Sequence, residues 1–238
     1  MKKRYWLLAI GCWLAPAPAF AAPDSVAVDS LGRSGRLPDG PWWIGVWGAA
    51  ATHSPFTTRH GERHRDLYMA GVRLGRQMHT SDRLVFDYYV DIVPFVRSTN
   101  NPVKYTDVET CAPVAGTRII TCATHETMET ATARGFAVTP IGLQMRAFHG
   151  RAVEAVIGAS FGAVKYDAPV PDPSEKRLNF MVEAVLGIHV RTGRDGAVIA
   201  GVRQNHTSNA NTGSVNPGID SRVLYFGVTR WVSRRSQR

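Results

Sequence analysis

The sequence lacks any apolar run long enough to cross a membrane as a helix. Such a helix needs about 18 or more uninterrupted apolar residues, and the apolar stretch at residues 5–14 is too short. A convincing 3.6-residue apolar period is also missing, so the chain is not built from amphipathic helices. If the protein lives in a membrane, it must do so as a barrel, because only helices and closed barrels satisfy their backbone polar groups in lipid.

The short apolar stretch has a different meaning. It follows a basic start, Met-Lys-Lys-Arg, and precedes the small-residue sequence Ala-Phe-Ala at residues 19–21. This pattern predicts an export signal over residues 1–21, cleaved after Ala21.

Cysteine is scarce, with three residues in the whole chain, and Cys12 would be lost with the signal. Cys111 and Cys122 then remain as an even pair in an exported chain, within a stretch rich in Thr, Pro and Gly. They predict a disulfide that closes a small surface loop, with two idle thiols as the alternative.

Long basic runs are absent too. The net charge is +9, and without the signal 25 basic residues face 19 acidic ones, a net charge of +6. A moderately basic surface suits anionic partners such as nucleic acid or the phosphorylated lipids of an outer leaflet. The export signal argues against nucleic acid, and adjacent arginines occur only in the basic tail at residues 233–238.

Between an irregular leader at residues 22–40 and that tail, residues 41–232 repeat one pattern eight times. Apolar residues alternate with polar or small ones at period two, which is typical of strands. The predicted strands are residues 42–52, 67–79, 83–97, 135–148, 153–166, 177–191, 197–209 and 221–232. Short connections alternate with long ones, the longest being residues 98–134.

An even strand count with short turns on one side and long loops on the other is typical of outer-membrane barrels. We therefore predict an all-β protein, an eight-stranded antiparallel transmembrane β-barrel in the outer membrane of a Gram-negative bacterium. The alternative is a soluble β-sandwich.

In a barrel of eight strands, side chains fill the lumen. Lumen charges of both signs should pair there: Asp87, Asp91 and Glu183 with Arg73 and Arg203.

Four tryptophans lie near predicted strand ends. Trp42, Trp43 and Trp47 begin the first strand, and Trp231 ends the last. We expect them at the membrane interface, where amphipathic rings are favoured.

One familiar motif is a coincidence. Residues 158–162 spell G-x-S-x-G, which in α/β-hydrolases forms a sharp turn between a strand and a helix. Here the motif lies in the middle of a predicted strand, and Ser160 shares the lumen parity of Glu154.

The informative stretch is His206-Thr-Ser208, followed by the sequence N-P-G-I-D-S at residues 216–221. In an extended strand, residues two apart project from one face, with Cα atoms about 6.5 to 7 Å apart. A hydroxyl, an imidazole and the carboxylate of Asp220 so placed could form a nucleophilic ester-cleaving site. The alternation puts all three on the lipid-facing side, at the long-loop end of adjacent strands. Ordinary polar residues in the headgroup zone are the alternative.

Several stretches resemble the lipid A 3-O-deacylase family (PagL). They are H-x-S-N-A, N-P-G-I-D-S, the apolar final strand at residues 223–228, the sequence G-F-A-V-T-P-I-G-L at residues 135–143, and L-N-F at residues 178–180. The likeness covers about residues 135 to 232 and is strongest in the last two predicted strands.

This resemblance implies Ser208 as nucleophile, His206 as base and Asp220 as the acid, with Asn209 and the backbone around Ala210 near the oxyanion. Two positions depart from the family: its acid is typically the longer glutamate, and Asn211 stands where glycine is frequent. Asparagine tolerates left-handed backbone geometry better than most residues.

The resemblance implies an outer-membrane esterase that removes an ester-linked 3-hydroxyacyl chain from lipid A, without metal or cofactor. The alternative is a non-catalytic barrel with a structural or surface-interaction role, and a phospholipase-like barrel is disfavoured. Expected partners are lipid A and the bilayer, with no nucleic acid, and the sequence leaves a homodimer open. We interpret His53, His60 and His64 as solvated loop residues rather than metal ligands.

Overall fold

The computed structural model describes residues 41–58, 61–116, 118–193, 195–213 and 218–232, and of residues 52–58 and 61–63 only the backbone. The predicted export signal, leader and C-terminal tail lie outside these residues, as do His60 and the side chain of His53. In the described part of the chain, no helix is long and apolar enough to cross a membrane.

The described residues form a closed ring of antiparallel strands in sequence order, β1 to β8, with β1 paired to β8. The strands are β1 Trp42–Thr58, β2 Gly61–Thr80, β3 Leu84–Pro113, β4 Ile120–Ala147, β5 Val153–Tyr166, β6 Leu178–Arg191, β7 Gly196–Ser208 and β8 Ile219–Val232. The all-β eight-stranded barrel predicted from the sequence is therefore confirmed.

The two faces of the wall differ in polarity in the way the alternation predicts. On β3, Phe86 and Ile92 are exposed on the outside, whereas Asp87 and Asp91 are buried in the lumen. On β6, Leu178, Val182 and Leu186 are at least half exposed on the outside. An apolar exterior around a charged interior is the reverse of a water-soluble barrel, and it fits a wall that faces lipid.

The lumen carboxylates Asp87, Asp91 and Glu183 each pair with an arginine, as predicted, although the partner of Asp87 is Arg146. The Arg73 guanidinium donates two hydrogen bonds to Asp91, at 2.7 and 2.6 Å. Arg203 donates to Glu183 at 3.4 Å. Arg146 bridges Asp87 and Glu154, with 2.8 Å to each carboxylate. Removing one partner of such a pair would leave an unpaired buried charge, which is strongly destabilising.

The prediction for the tryptophans is wrong for three of the four. Trp42 is 45% exposed on the outer face, but Trp43 and Trp47 are buried on the lumen side. Trp231 lies edge-on to the lumen residue His189, at 5.3 Å between ring centroids. The odd-numbered positions of β1 point inward, so a tryptophan there fills the lumen, whereas interface residues need the outward parity.

The predicted loop at residues 98–134 is also corrected. β3 and β4 continue far beyond the barrel wall as a two-stranded ribbon, and Val114 N donates to Ile119 O at 2.9 Å near its tip. Both faces of this ribbon are largely exposed, so its sequence carries no apolar alternation. Cys111 and Cys122 lie directly opposite each other near its tip and are joined by a disulfide.

Candidate active site

His206 and Asp220 form a hydrogen-bonded pair on the outer wall. They are directly opposite each other on β7 and β8, and His206 Nδ1 lies 3.0 Å from Asp220 Oδ1. Side chains of directly opposed residues start about 4.5 to 5.5 Å apart at Cβ. The shorter carboxylate therefore reaches the imidazole without a glutamate's extra methylene. Both side chains are exposed, to 48% and 69%, on the face that lipid covers.

Ser208 lies two residues beyond His206, on the same outward face at the end of β7. No hydrogen bond joins its hydroxyl to the imidazole within the described residues. Hydrogen bonds of this kind are often long in enzymes without substrate and tighten when it binds. We call His206, Ser208 and Asp220 the outer-wall cluster.

An apolar surface borders the outer-wall cluster on the β6 side. Phe180 is opposite Ser208, and Val182 is opposite His206. The Phe180 ring stacks on Phe161 of β5, with 6.2 Å between centroids. An acyl chain that reaches Ser208 would therefore lie against aromatic and aliphatic side chains.

The inward-facing residues of β7 hold the strand from behind. Thr207 Oγ1 donates to Asn205 Oδ1 at 2.8 Å, and Asn205 Nδ2 donates to Glu183 Oε1 at 3.2 Å. Arg203 contacts the same glutamate. Since side chains alternate along a strand, this buried ladder fixes the backbone from which His206 and Ser208 project.

A tight turn follows Ser208. Thr212 N donates to Asn209 O at 3.1 Å, and the two central residues, Ala210 and Asn211, have φ of 52° and 60°. Two positive φ values across such a bond are typical of a type I′ turn. Asn211 thus adopts the left-handed geometry that asparagine tolerates better than most residues.

The Asn209 side chain points inward and donates to the Glu175 carboxylate in the connection between β5 and β6. Burial raises the pKa of Glu175 above its ordinary value, while this hydrogen bond acts in the opposite direction. The bond ties the start of the turn to a neighbouring connection. Sequence reasoning missed Glu175, because its partner lies 34 residues away and no local pattern connects them.

Gly218 also contributes to the geometry and was missed. Its φ is 62°, and a Cβ built on it would lie 3.0 Å from His206 Cε1. A side chain at position 218 would therefore crowd the imidazole, whose Nδ1 contacts Asp220. The glycine in N-P-G-I-D-S was the available signal, since glycine is the residue that adopts positive φ without strain.

Ser160 lies in the lumen, as expected from its parity. It is 4% exposed, and its hydroxyl donates to Glu183 Oε2 at 2.9 Å. The G-x-S-x-G sequence is in the middle of β5, so it forms no nucleophile turn.

The closed ring, the apolar exterior and the paired lumen charges define a transmembrane β-barrel of the bacterial outer membrane. Residues 122–229 match the model of one family, described as Lipid A 3-O-deacylase (PagL). This match confirms the resemblance seen in the sequence, and the matched segment contains the whole outer-wall cluster.

Comparison with curated protein sequences gives no match. Among solved structures, the outer membrane enzyme PagL is 16% identical with a TM-score of 0.46, and the alignment covers 76% of this chain and 97% of that one. Neisserial surface protein A is 12% identical with a TM-score of 0.42, covering 79% and 96%. The outer membrane protein OprG from Pseudomonas aeruginosa is 9% identical with a TM-score of 0.41, covering 82% and 98%.

Proposed function

We propose that the protein is an outer-membrane esterase that hydrolyses an ester-linked 3-hydroxyacyl chain of lipid A. The observation that carries the proposal is the hydrogen-bonded pair of His206 and Asp220, 3.0 Å apart on the lipid-facing wall beside Ser208. A polar cluster on that face is costly unless it has a function. The family match over residues 122–229 supports the choice of substrate.

In the proposed reaction, His206 takes the proton of Ser208 as the hydroxyl oxygen attacks the ester carbonyl. The tetrahedral intermediate collapses and breaks the bond to the sugar oxygen, which leaves with the proton that His206 returns. Water, deprotonated by His206, then cleaves the acyl-serine and releases the 3-hydroxy fatty acid. Asp220 keeps the imidazole oriented and stabilises its charged form throughout.

Backbone amides of the turn after Ser208 are the proposed donors to the intermediate's oxyanion. The Asn209 side chain supports this role indirectly, because its amide is engaged with Glu175 and holds the turn. Ala210 and Asn211 set the direction of the backbone through their positive φ values.

Mass spectrometry of lipid A tests the proposal. Lipid A from Gram-negative cells that produce the protein should be lighter by one 3-hydroxyacyl chain than lipid A from cells without it, and tandem spectra should identify the lost chain as ester-linked. Unchanged lipid A in cells whose outer membrane contains the folded barrel would favour the non-catalytic alternative.

Gly218→Ala should lower the deacylation rate about tenfold while the barrel still folds. The new methyl group would lie 3.0 Å from His206 Cε1, so the imidazole must shift by a few tenths of an ångström from its position beside Asp220. A left-handed alanine also costs about 1 kcal/mol or more. Gly116→Ala is the matched control, because Gly116 has a φ of 77° and nothing within 4 Å of its Cβ position. Equal losses in both variants would mean that backbone strain, not the contact with His206, causes the effect.

A further inference from the structure

Arg222 and Gln204 occupy an unexpected position on the outer wall. They are directly opposite each other on β8 and β7, one outward pair below His206 and Asp220 on the side of the membrane core. Both side chains are exposed on the lipid-facing side. Two residues along a strand correspond to about 6.5 to 7 Å, so this pair is adjacent to the outer-wall cluster.

The next outward positions are apolar. Below Arg222 on β8 come Leu224, Phe226 and Val228, which are 68%, 59% and 46% exposed. Leu224 is opposite Val202 on one side and Ala50 on the other. Arg222 is therefore the last charged residue above the apolar band, at the level where the headgroups of the outer leaflet begin.

The Arg222 guanidinium differs from the lumen arginines in its contacts. Within the described residues it makes no hydrogen bond or ion pair, whereas Arg73, Arg146 and Arg203 are each paired in the lumen. An arginine at a lipid-facing position extends its charged end toward the headgroup layer. It is available there to an anion that comes from the membrane.

The donor groups at this position favour a phosphate over other anions. A guanidinium presents a planar fork of donors that matches two oxygens of a phosphate, and such charge-assisted bonds are stronger than neutral ones. Gln204 adds an amide donor beside it. On the β6 side, the position opposite Gln204 is Ala184, a small residue that leaves space over this part of the wall.

We propose that Arg222, assisted by Gln204, forms an anion subsite that binds a phosphate group of the lipid A substrate and so holds the scissile ester at Ser208. The inference rests on the proposed function and deepens it. Arg222 is a substrate-binding residue in this account. The subsite makes a phosphorylated glycolipid a better substrate than its dephosphorylated form.

The test compares kinetics on two substrates. Purified protein in detergent micelles is given phosphorylated lipid A or the same lipid A after phosphatase treatment. Arg222→Gln should raise KM for the phosphorylated substrate about tenfold or more, from the loss of a charge-assisted contact, with kcat little changed. The dephosphorylated substrate should be affected less than twofold. Arg222→Lys keeps the charge but lacks the planar set of donors. Its KM for the phosphorylated substrate should therefore lie between those of the wild type and Arg222→Gln.

Arg230→Gln is the matched control. Arg230 lies on the same strand and the same outward face, opposite Ile44 of β1, at the other end of the apolar band. Its replacement should change neither substrate's kinetics. If Arg222→Gln instead slows both substrates equally, Arg222 acts only on the charge of Asp220 or on folding, and the subsite is rejected.

A binding measurement separates this inference from the proposed function. Wild-type protein, Arg222→Gln and Arg230→Gln are placed in nanodiscs, and retention of phosphorylated lipid A is measured against competing phosphatidylglycerol. Weaker retention in Arg222→Gln alone supports the subsite even if the wild type releases no fatty acid. Retention that is equal in all three variants, or abolished by phosphatidylglycerol at equal concentration, overturns it.

Discussion

Ser208→Ala should reduce deacylation about 10⁴-fold or more while the barrel still inserts and folds. The variant removes the attacking oxygen, and loss of a nucleophile or its base is among the most damaging changes in enzymes of this type. His206→Ala should be equally severe, because the hydroxyl would have no group to take its proton. The double variant should be no worse than either single one, since the two residues act as a unit.

Folding and activity should separate in these variants. Both side chains project outward from the end of β7, whereas the packed lumen is built from residues of the opposite parity. Heat-modifiable gel migration and β-type circular dichroism should therefore match the wild type. Loss of the heat-modifiable form together with activity would mean that the residues serve folding.

Ser160→Ala is the internal control. It removes the serine of the G-x-S-x-G sequence, whose hydroxyl donates to Glu183 in the lumen. Glu183 keeps Arg203 and Asn205 as partners, so the barrel should remain folded and deacylation should stay at the wild-type rate. Loss of activity in Ser160→Ala with retention in Ser208→Ala would contradict the mechanism.

The period-two alternation predicts most of the fold and the location of the site. It assigned Asp87 and Asp91 to the lumen, where both are buried. It also predicted that His206 and Asp220 share the outer face, and in the structure they are directly opposed. Alternation is informative here because the two sides of the wall have opposite polarity, so each residue's parity determines its environment.

Alternation of polarity does not assign the tryptophans of β1 to a face. Position 43 and position 47 have the inward parity of β1, but both parities of that strand are apolar, so polarity alone does not reveal it. Two glycines of β2 carry the missing signal: a Cβ at Gly75 would overlap Trp43, and one at Gly71 would overlap Trp47. The rings lie across these glycines inside the barrel, and the Arg203 guanidinium stacks over Trp47 at 3.9 Å.

The outer ribbon and the contacts of the turn could not be predicted. Beyond the barrel wall, β3 and β4 are exposed on both faces, so neither face needs apolar residues and the sequence loses its period. The contact between Asn209 and Glu175 depends on how two connections meet in space. Gly218 against His206 likewise depends on the path of the chain into β8.

Asp220→Asn should retain a measurable deacylation rate, about 10²-fold below that of the wild type. Asparagine cannot stabilise the charged imidazole and can leave it in the wrong tautomer. The loss is smaller than for Ser208→Ala, because Asp220 takes no part in bond formation. Its side chain is 69% exposed in the structure, so solvent and headgroups supply part of the missing stabilisation.

Asp220→Glu should keep at least the wild-type rate. The aspartate already reaches His206 Nδ1 at 3.0 Å from the directly opposite position, and the outward face leaves space for one more methylene. A longer carboxylate can keep this bond by changing its rotamer. The measurement is the initial rate of fatty-acid release. A rate for Asp220→Glu as low as that of Asp220→Asn would show that activity depends on the position of the carboxylate and not only on its charge.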